Sequence, residues 1–330
     1  MTTPASPPPA AAPSPPSPPP PASTPRSATT QPTRKISMPP LGALWTLFTL
    51  TLRQHLRGKR WMVMGALFLL PAALAILIRT TAREAPSVVS EFMLAWMLIP
   101  QVLLPLVALL YASGVVQDEL EEQTITYLLV RPIPKWAIYL VKLLATLVTT
   151  ATLVALFTAI TYAAIFVGAG GSNSFGPDST GSAVDAAVVW RRCLNTMAIH
   201  ALAVVAYSCL FGLLGLITNR TLVIGIVYIA LVEGLLANMP FGIRLATVIY
   251  YTRLIAYRTM DFVVEMRFGH TENLAADAWQ FDLRKDPNLL NHPQQATCVK
   301  TLLIASLVCV VVAAWQCAHR EFHVKTPEKD

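Results

Sequence analysis

The feature that most restricts this chain is a series of apolar blocks, each roughly 20 residues long, separated by short polar or proline-rich stretches. A helix of about 20 residues spans a hydrocarbon core about 30 Å thick. Lipid offers no partner to a bare backbone N–H or C=O, so a segment that crosses it must satisfy those groups internally, which a helix does. Six such spans are predicted, at about 61–79, 92–115, 137–168, 195–218, 221–238 and 299–318. Only 13% of the 330 residues are charged, against 54% apolar, and a soluble domain carries roughly twice that charged fraction. The expected fold class is therefore an all-α integral membrane protein with six transmembrane helices.

The net charge of +7 would raise the question of nucleic acid in a soluble chain. Here the cations lie between apolar blocks, so the partner they suggest is membrane lipid, not nucleic acid. With the N-terminus inside, the cytoplasmic pieces hold Arg53, Arg57, Lys59 and Arg60, then Arg131 and Lys135, then Arg220, then Arg320, Lys325 and Lys329. The opposite short loops hold Arg79, Arg83, Arg191 and Arg192. The excess of cations on one side predicts both termini in the cytoplasm of a multi-pass protein of the plasma (inner) membrane.

Residues 1–40 are dominated by Pro, Ala, Ser and Thr, a composition with too little apolar mass to offset the entropy of ordering. They are expected to form a disordered tail rather than a cleavable signal. Over residues 41–60, Leu44, Phe48, Leu52 and Leu56 recur every four positions with cations off the stripe, which predicts an amphipathic interfacial helix. Residues 61–318 form the membrane domain, and residues 319–330 a cytoplasmic tail. Within the membrane domain, Pro71, Pro100 and Pro105 predict kinks. The long outer loop at 239–298 is expected to hold one or two helices on the bundle's outer surface between Phe241 and Met266, followed by a polar part from Trp279 to Pro293.

Between the second and third spans lies QDELEEQTITYLLVRPIPKWAIYLVK, Gln117 to Lys142. Asp118 followed by Glu121 has the form of a capping box, so a short helix is expected to start there, with Asp118, Glu119, Glu121 and Glu122 near its positive end. Pro132 and Pro134 end it. The crowded acids call for cationic partners, which Arg131 and Lys135 or a docked protein could supply.

Among other candidates, Glu233 is the one acid inside a predicted span, where a carboxylate is costly enough to mark a pathway or a dimer contact. His200 is expected to be packed or to face an interface, and Gly212, Gly215 and Ser208 form a small-residue strip suited to close helix packing. The five cysteines show no CxxC spacing and read as small apolar residues, with pairing of Cys193 and Cys298 left open. Met260, Met266 and His270 fit no defined metal site, so no metal is expected. No constellation of polar residues suggests catalysis.

The cytoplasmic segment resembles the loop joining the second and third helices of ABC type-2 permeases, among them permeases linked to multicopper-enzyme maturation. The residues that carry the likeness are Glu119, Glu122, Thr124, Leu128, Leu129, Arg131, Pro132, Ile133 and Lys142. One departure is Gln123, where that family often has Gly. The resemblance implies a permease subunit, an exporter rather than an enzyme, whose coupling helix at 117–136 engages a separate ABC ATPase subunit. It also implies a second permease chain, as homodimer or heterodimer. The chain has no GxxxxGK[ST] sequence, so ATP and Mg would belong to the partner. Two other expectations stand beside this one: a membrane anchoring or assembly subunit, and an integral membrane enzyme.

Overall fold

The computed structural model describes residues 41–81, 88–121, 134–166, 174–177, 183–218, 220–239, 242–265, 271–281 and 292–319. Its helices are α1 (Leu41–Arg57), α2 (Lys59–Thr81), α3 (Val88–Glu91), α4 (Leu104–Glu121), α5 (Lys135–Phe166), α6 (Ala186–Ile217), α7 (Thr221–Tyr228), α8 (Val248–Thr259), α9 (Leu274–Ala278) and α10 (Gln295–His319). A π-helical stretch, Phe92–Leu103, joins α3 to α4. A second, Ile229–Leu235, extends α7 and ends in a 3-10 turn at Leu236–Asn238. Among the described residues, six helical segments are long and apolar enough to cross a membrane: Arg60–Thr81, Val88–Val115, Lys135–Phe166, Ala186–Ile217, Thr221–Asn238 and Gln295–His319. The protein is thus a multi-pass helical membrane protein, as the apolar blocks require.

Within the apolar window of the second segment 61% is buried, against 22% in the fifth and in the sixth, so the second lies at the centre and the other two at the rim. The packing of α4, α5 and α6 on one another forms the heart of the bundle. Small residues let these helices approach. A Cβ on Gly212 would sit 2.9 Å from the Tyr139 hydroxyl oxygen, and one on Gly225 would sit within 3 Å of the Leu109 methyls. Gly215 has more room, 3.5 Å to the Ser113 carbonyl oxygen. Along α5 the buried face carries Thr146, Thr149, Thr150 and Thr161, whose hydroxyls donate to carbonyls one turn earlier. Those back-bonds keep each hydroxyl satisfied inside the bundle.

Pro100 lies within the π-helical stretch and Pro105 just beyond it. Proline removes a donor from an α-helical ladder, and a wider turn accommodates the loss. The Leu104 N–H correspondingly reaches back five residues to the Ile99 carbonyl.

On one face α1 packs on α5 through Leu47, Thr51 and His55, with His55 Nε2 3.1 Å from Thr146 Oγ1, while Leu56 is 56% exposed. Several expectations are corrected. The second and fourth spans begin at Val88 and Ala186, so Glu91, Arg191 and Arg192 are helical rather than in loops. Helical backbone runs without a break through Asp118 to Glu121, so Asp118 does not start a helix there. The preceding apolar helix supplies the carbonyls that the N–H groups of these residues would otherwise lack.

The outer part of the chain also differs from expectation. Two short antiparallel hairpins add strands to an otherwise helical fold: β1 (Ser174–Pro177) with β2 (Ala183–Asp185), and β3 (Val263–Glu265) with β4 (Thr271–Asn273). Instead of lying on the bundle's outer surface, α8 packs between α6 and α10, with Ile249, Leu254, Ile255 and Ala256 buried. Trp279 and Phe281 are buried too, in an aromatic cluster with Phe92 and Phe262 whose ring centroids lie 5.2–6.2 Å apart. Such pairs contribute about 0.5–1.5 kcal/mol each beyond their burial. The chain reaches that cluster by a tight helix ending. Gln280 takes φ 54°, Phe281 N–H donates to the Ala276 carbonyl at 2.9 Å, and Gln280 N–H donates to Asp277 at 3.3 Å. This is the double hydrogen bond that closes a helix before a left-handed residue.

Candidate functional site

Two buried carboxylates organise the polar interior among the described residues, and each joins segments distant in sequence. The first is Glu91, 1% exposed, at the junction of α3 with the π-helical stretch. Arg192 Nε donates to Oε1 and Oε2 at 3.0 Å each, and Nη2 lies 2.9 Å from Oε2. The Tyr162 hydroxyl donates to Oε1 at 2.6 Å and lies 2.7 Å from Thr196 Oγ1. Arg192 also donates from Nη1 to the Asp261 carbonyl at 3.2 Å and stacks its guanidinium 5.9 Å from the Phe262 ring centre. One carboxylate therefore ties together the start of the second span, α5, α6 and the segment after α8. A buried ion pair recovers its desolvation cost only as far as its remaining hydrogen-bonding capacity is met; Tyr162 and the Asp261 carbonyl meet part of it, while Arg192 Nη2 has only its ion-pair contact with Glu91.

Glu233, also 1% exposed, stands in the π-helical stretch of the fifth span. Its carboxylate accepts from Val248 N–H and Ile249 N–H at 3.0 Å each, the first two free amides of α8, and from the Tyr228 hydroxyl at 3.2 Å. The Thr247 hydroxyl at the N-cap donates to the Arg244 carbonyl and caps no amide of α8, so Glu233 takes over that role from another helix. A carboxylate at a helix N-terminus both satisfies orphan donors and complements the dipole. Nearby, Arg253 Nη1 donates to Asn238 Oδ1 at 2.9 Å.

These contacts fix the inclination of α8. Val248 packs beside the mid-bundle cluster that contains Ile99, Leu103 and Tyr207, whereas Asp261 reaches Arg192. Tyr207 and Arg192 are separated along α6 by about 22 Å at the helical rise. The chain leaving the fifth span thus restarts among the other spans as a second helix.

Of the residues anticipated in the cytoplasmic segment, Asp118, Glu119 and Glu121 fall in the last turn of α4. Glu122, Thr124, Leu128, Leu129, Arg131 and Pro132 lie outside the described residues. The segment is entered from α4 and left through α5, which resumes at Lys135. Lys142, which shares in the family likeness, is buried on α5. Cys317 Sγ donates to the Lys135 carbonyl at 3.5 Å, which places the end of α10 beside the start of α5.

His200 is fully packed, with Nδ1 3.2 Å from Thr158 Oγ1 and its ring against Trp96. All five cysteines are free thiols; Cys193 and Cys298 are both buried and do not pair. Among the described residues no three His, Cys, Asp or Glu side chains converge on a common point. The exposed Glu272 and Asp277 carboxyls do meet, and their hydrogen bond raises Glu272 above the ordinary carboxylate range.

Sequence reasoning reached Glu233 but missed Glu91, whose signal was the cation Arg192 at a similar depth in the next-but-one span. A hydropathy reading treats each charge as the end of a span, because it weighs residues singly and cannot see a partner a hundred positions away.

No curated protein matches the chain. The family described as "Protein of unknown function (DUF2705)" matches residues 72–245, from within α2 to a 3-10 turn, Gly242–Ala246, that precedes α8. That stretch takes in Glu91, Tyr162, Arg192, the segment at 117–136 and Glu233. Since it covers more than half of the chain, the protein belongs to the DUF2705 family.

Proposed function

We propose that this protein is the membrane-spanning permease subunit of an ATP-driven ABC transporter, working as an exporter and coupled to a separate ATPase subunit through the segment at 117–136. The observation that carries this reading is how that segment is mounted. At one end it continues α4 and at the other it leads into α5, two helices at the heart of the bundle. A force applied by a docked protein would therefore reach the core directly, along two rods that share a face. The acids of the segment and its Arg131-Pro132-Ile133 sequence support docking of the kind seen in the ABC type-2 family it resembles. The six-helix count adds support, since an even number of crossings leaves both termini on the side of that segment, the cytoplasm in this reading.

In this reading ATP and Mg bind the partner, a second permease chain completes the path, and α10 braces the coupling end through Cys317 and Lys135. The glycine contacts of α6 and α7 hold these helices close to α5 and α4, so a movement of either coupling rod would be passed to its neighbours. Affinity purification of the full chain from its native membrane in mild detergent tests the proposal. The expected result is a co-purifying P-loop ATPase and Mg-dependent ATP hydrolysis by the complex. Recovery of the chain without any ATPase favours an anchoring or assembly role instead.

A further inference from the structure

The groups around Glu233 are almost all donors. Two backbone amides at the start of the 12-residue α8 hold its oxygens, and the Tyr228 hydroxyl adds a third bond. The phenol of Tyr207, 1% exposed, approaches the same carboxylate but stops short of hydrogen-bond geometry and has no other partner. The guanidinium of Arg253, itself buried, lies within electrostatic reach. Without Glu233 the pocket would keep a cation, two phenols and the positive end of a helix, with little to neutralise them. That is the chemistry of an anion site at the start of a broken membrane helix.

The occupant stands on an adjustable support. Glu233 belongs to the π-helical turns Ile229–Leu235, which carry more residues per turn than an α-helix. Relaxation of one such turn to α geometry rotates the residues beyond it by about 100°, enough to withdraw a side chain from a pocket. We propose that the N-terminus of α8, with Tyr207, Tyr228 and Arg253, is a carboxylate-binding site whose resident occupant is Glu233, and that it receives the carboxylate of a free ligand when Glu233 swings out. Binding at this site does not depend on the permease reading and is measured on the chain alone.

The test is thermal unfolding of the purified full chain in detergent, with sodium formate as probe and sodium chloride at equal ionic strength as control. Glu233→Ala lowers Tm, and formate restores at least half of the loss while chloride does not. The wild type, its site filled, does not respond to either salt. Adding Tyr207→Phe to Glu233→Ala weakens the rescue. Formate that does no more than chloride, or that raises the wild type equally, overturns the proposal and leaves Glu233 a structural cap. Should Glu233→Ala fail to fold, Glu233→Gln carries the test: formate stabilises it more than it stabilises the wild type, and equal shifts overturn the proposal.

Discussion

Arg192 closes on Glu91 from across the bundle, with Nε 3.0 Å from both carboxylate oxygens and Nη2 2.9 Å from one of them. The two residues come from different spans, and the same guanidinium holds the Asp261 carbonyl. Removing either partner leaves a buried charge uncompensated, which costs about 3–5 kcal/mol. Glu91→Gln and Arg192→Met are each expected to lower thermal stability sharply. The double variant is expected to lose less than the sum of the two, because neither charge is then stranded. Unfolding of the four proteins in one detergent measures that coupling.

The close helix approaches make a graded set. Gly225→Ala would place a methyl within 3 Å of the buried Leu109 side chain, and Gly212→Ala would place one 2.9 Å from the Tyr139 hydroxyl oxygen. Both are expected to destabilise by about 1–3 kcal/mol. Gly215→Ala, with 3.5 Å to its nearest neighbour, is expected to be nearly neutral. Leu109→Ala, combined with Gly225→Ala, is expected to recover part of the loss, and Tm values across the series check the order.

Gln280 holds φ 54° at the end of α9, a conformation that favours glycine. Gln280→Gly is expected to stabilise the outer segment by about 0.5–1 kcal/mol, since an L side chain pays to adopt it. Hydrogen exchange over residues 271–281 reads the effect locally: slower exchange in the variant agrees, and faster exchange contradicts it.

Much of the fold was legible because lipid imposes a simple rule on sequence. The apolar blocks marked all six spans, and the strip at Gly212 and Gly215 marked a helix contact. What escaped was whatever depended on partners. Glu91 and Arg192 looked like boundary residues until each was seen to neutralise the other. Trp279 and Phe281 sat in polar sequence, and only the turn at Gln280 brings them into the aromatic cluster. The acids from Asp118 have the local form of a capping box, yet the helix continues through them, because a long apolar helix already running supplies hydrogen-bond acceptors that a local pattern cannot register. Glu233 was recognisable as costly, but its role as the cap of α8 required knowing that the chain turns back to meet it.

The central claim is that the acids at the end of α4 and just after it engage an ATPase, and it is tested most directly by charge reversal. Glu119→Lys together with Glu122→Lys changes two acids of the proposed contact and leaves Glu91 and Glu233 as they are. The measurement is binding of the double variant to the co-purifying ATPase, with ATP hydrolysis by the reconstituted complex read alongside. The account expects normal membrane insertion, affinity weakened about tenfold or more, equivalent to about 1.4 kcal/mol, and hydrolysis that no longer responds to the permease chain. Unchanged affinity together with an unchanged hydrolytic response would contradict it.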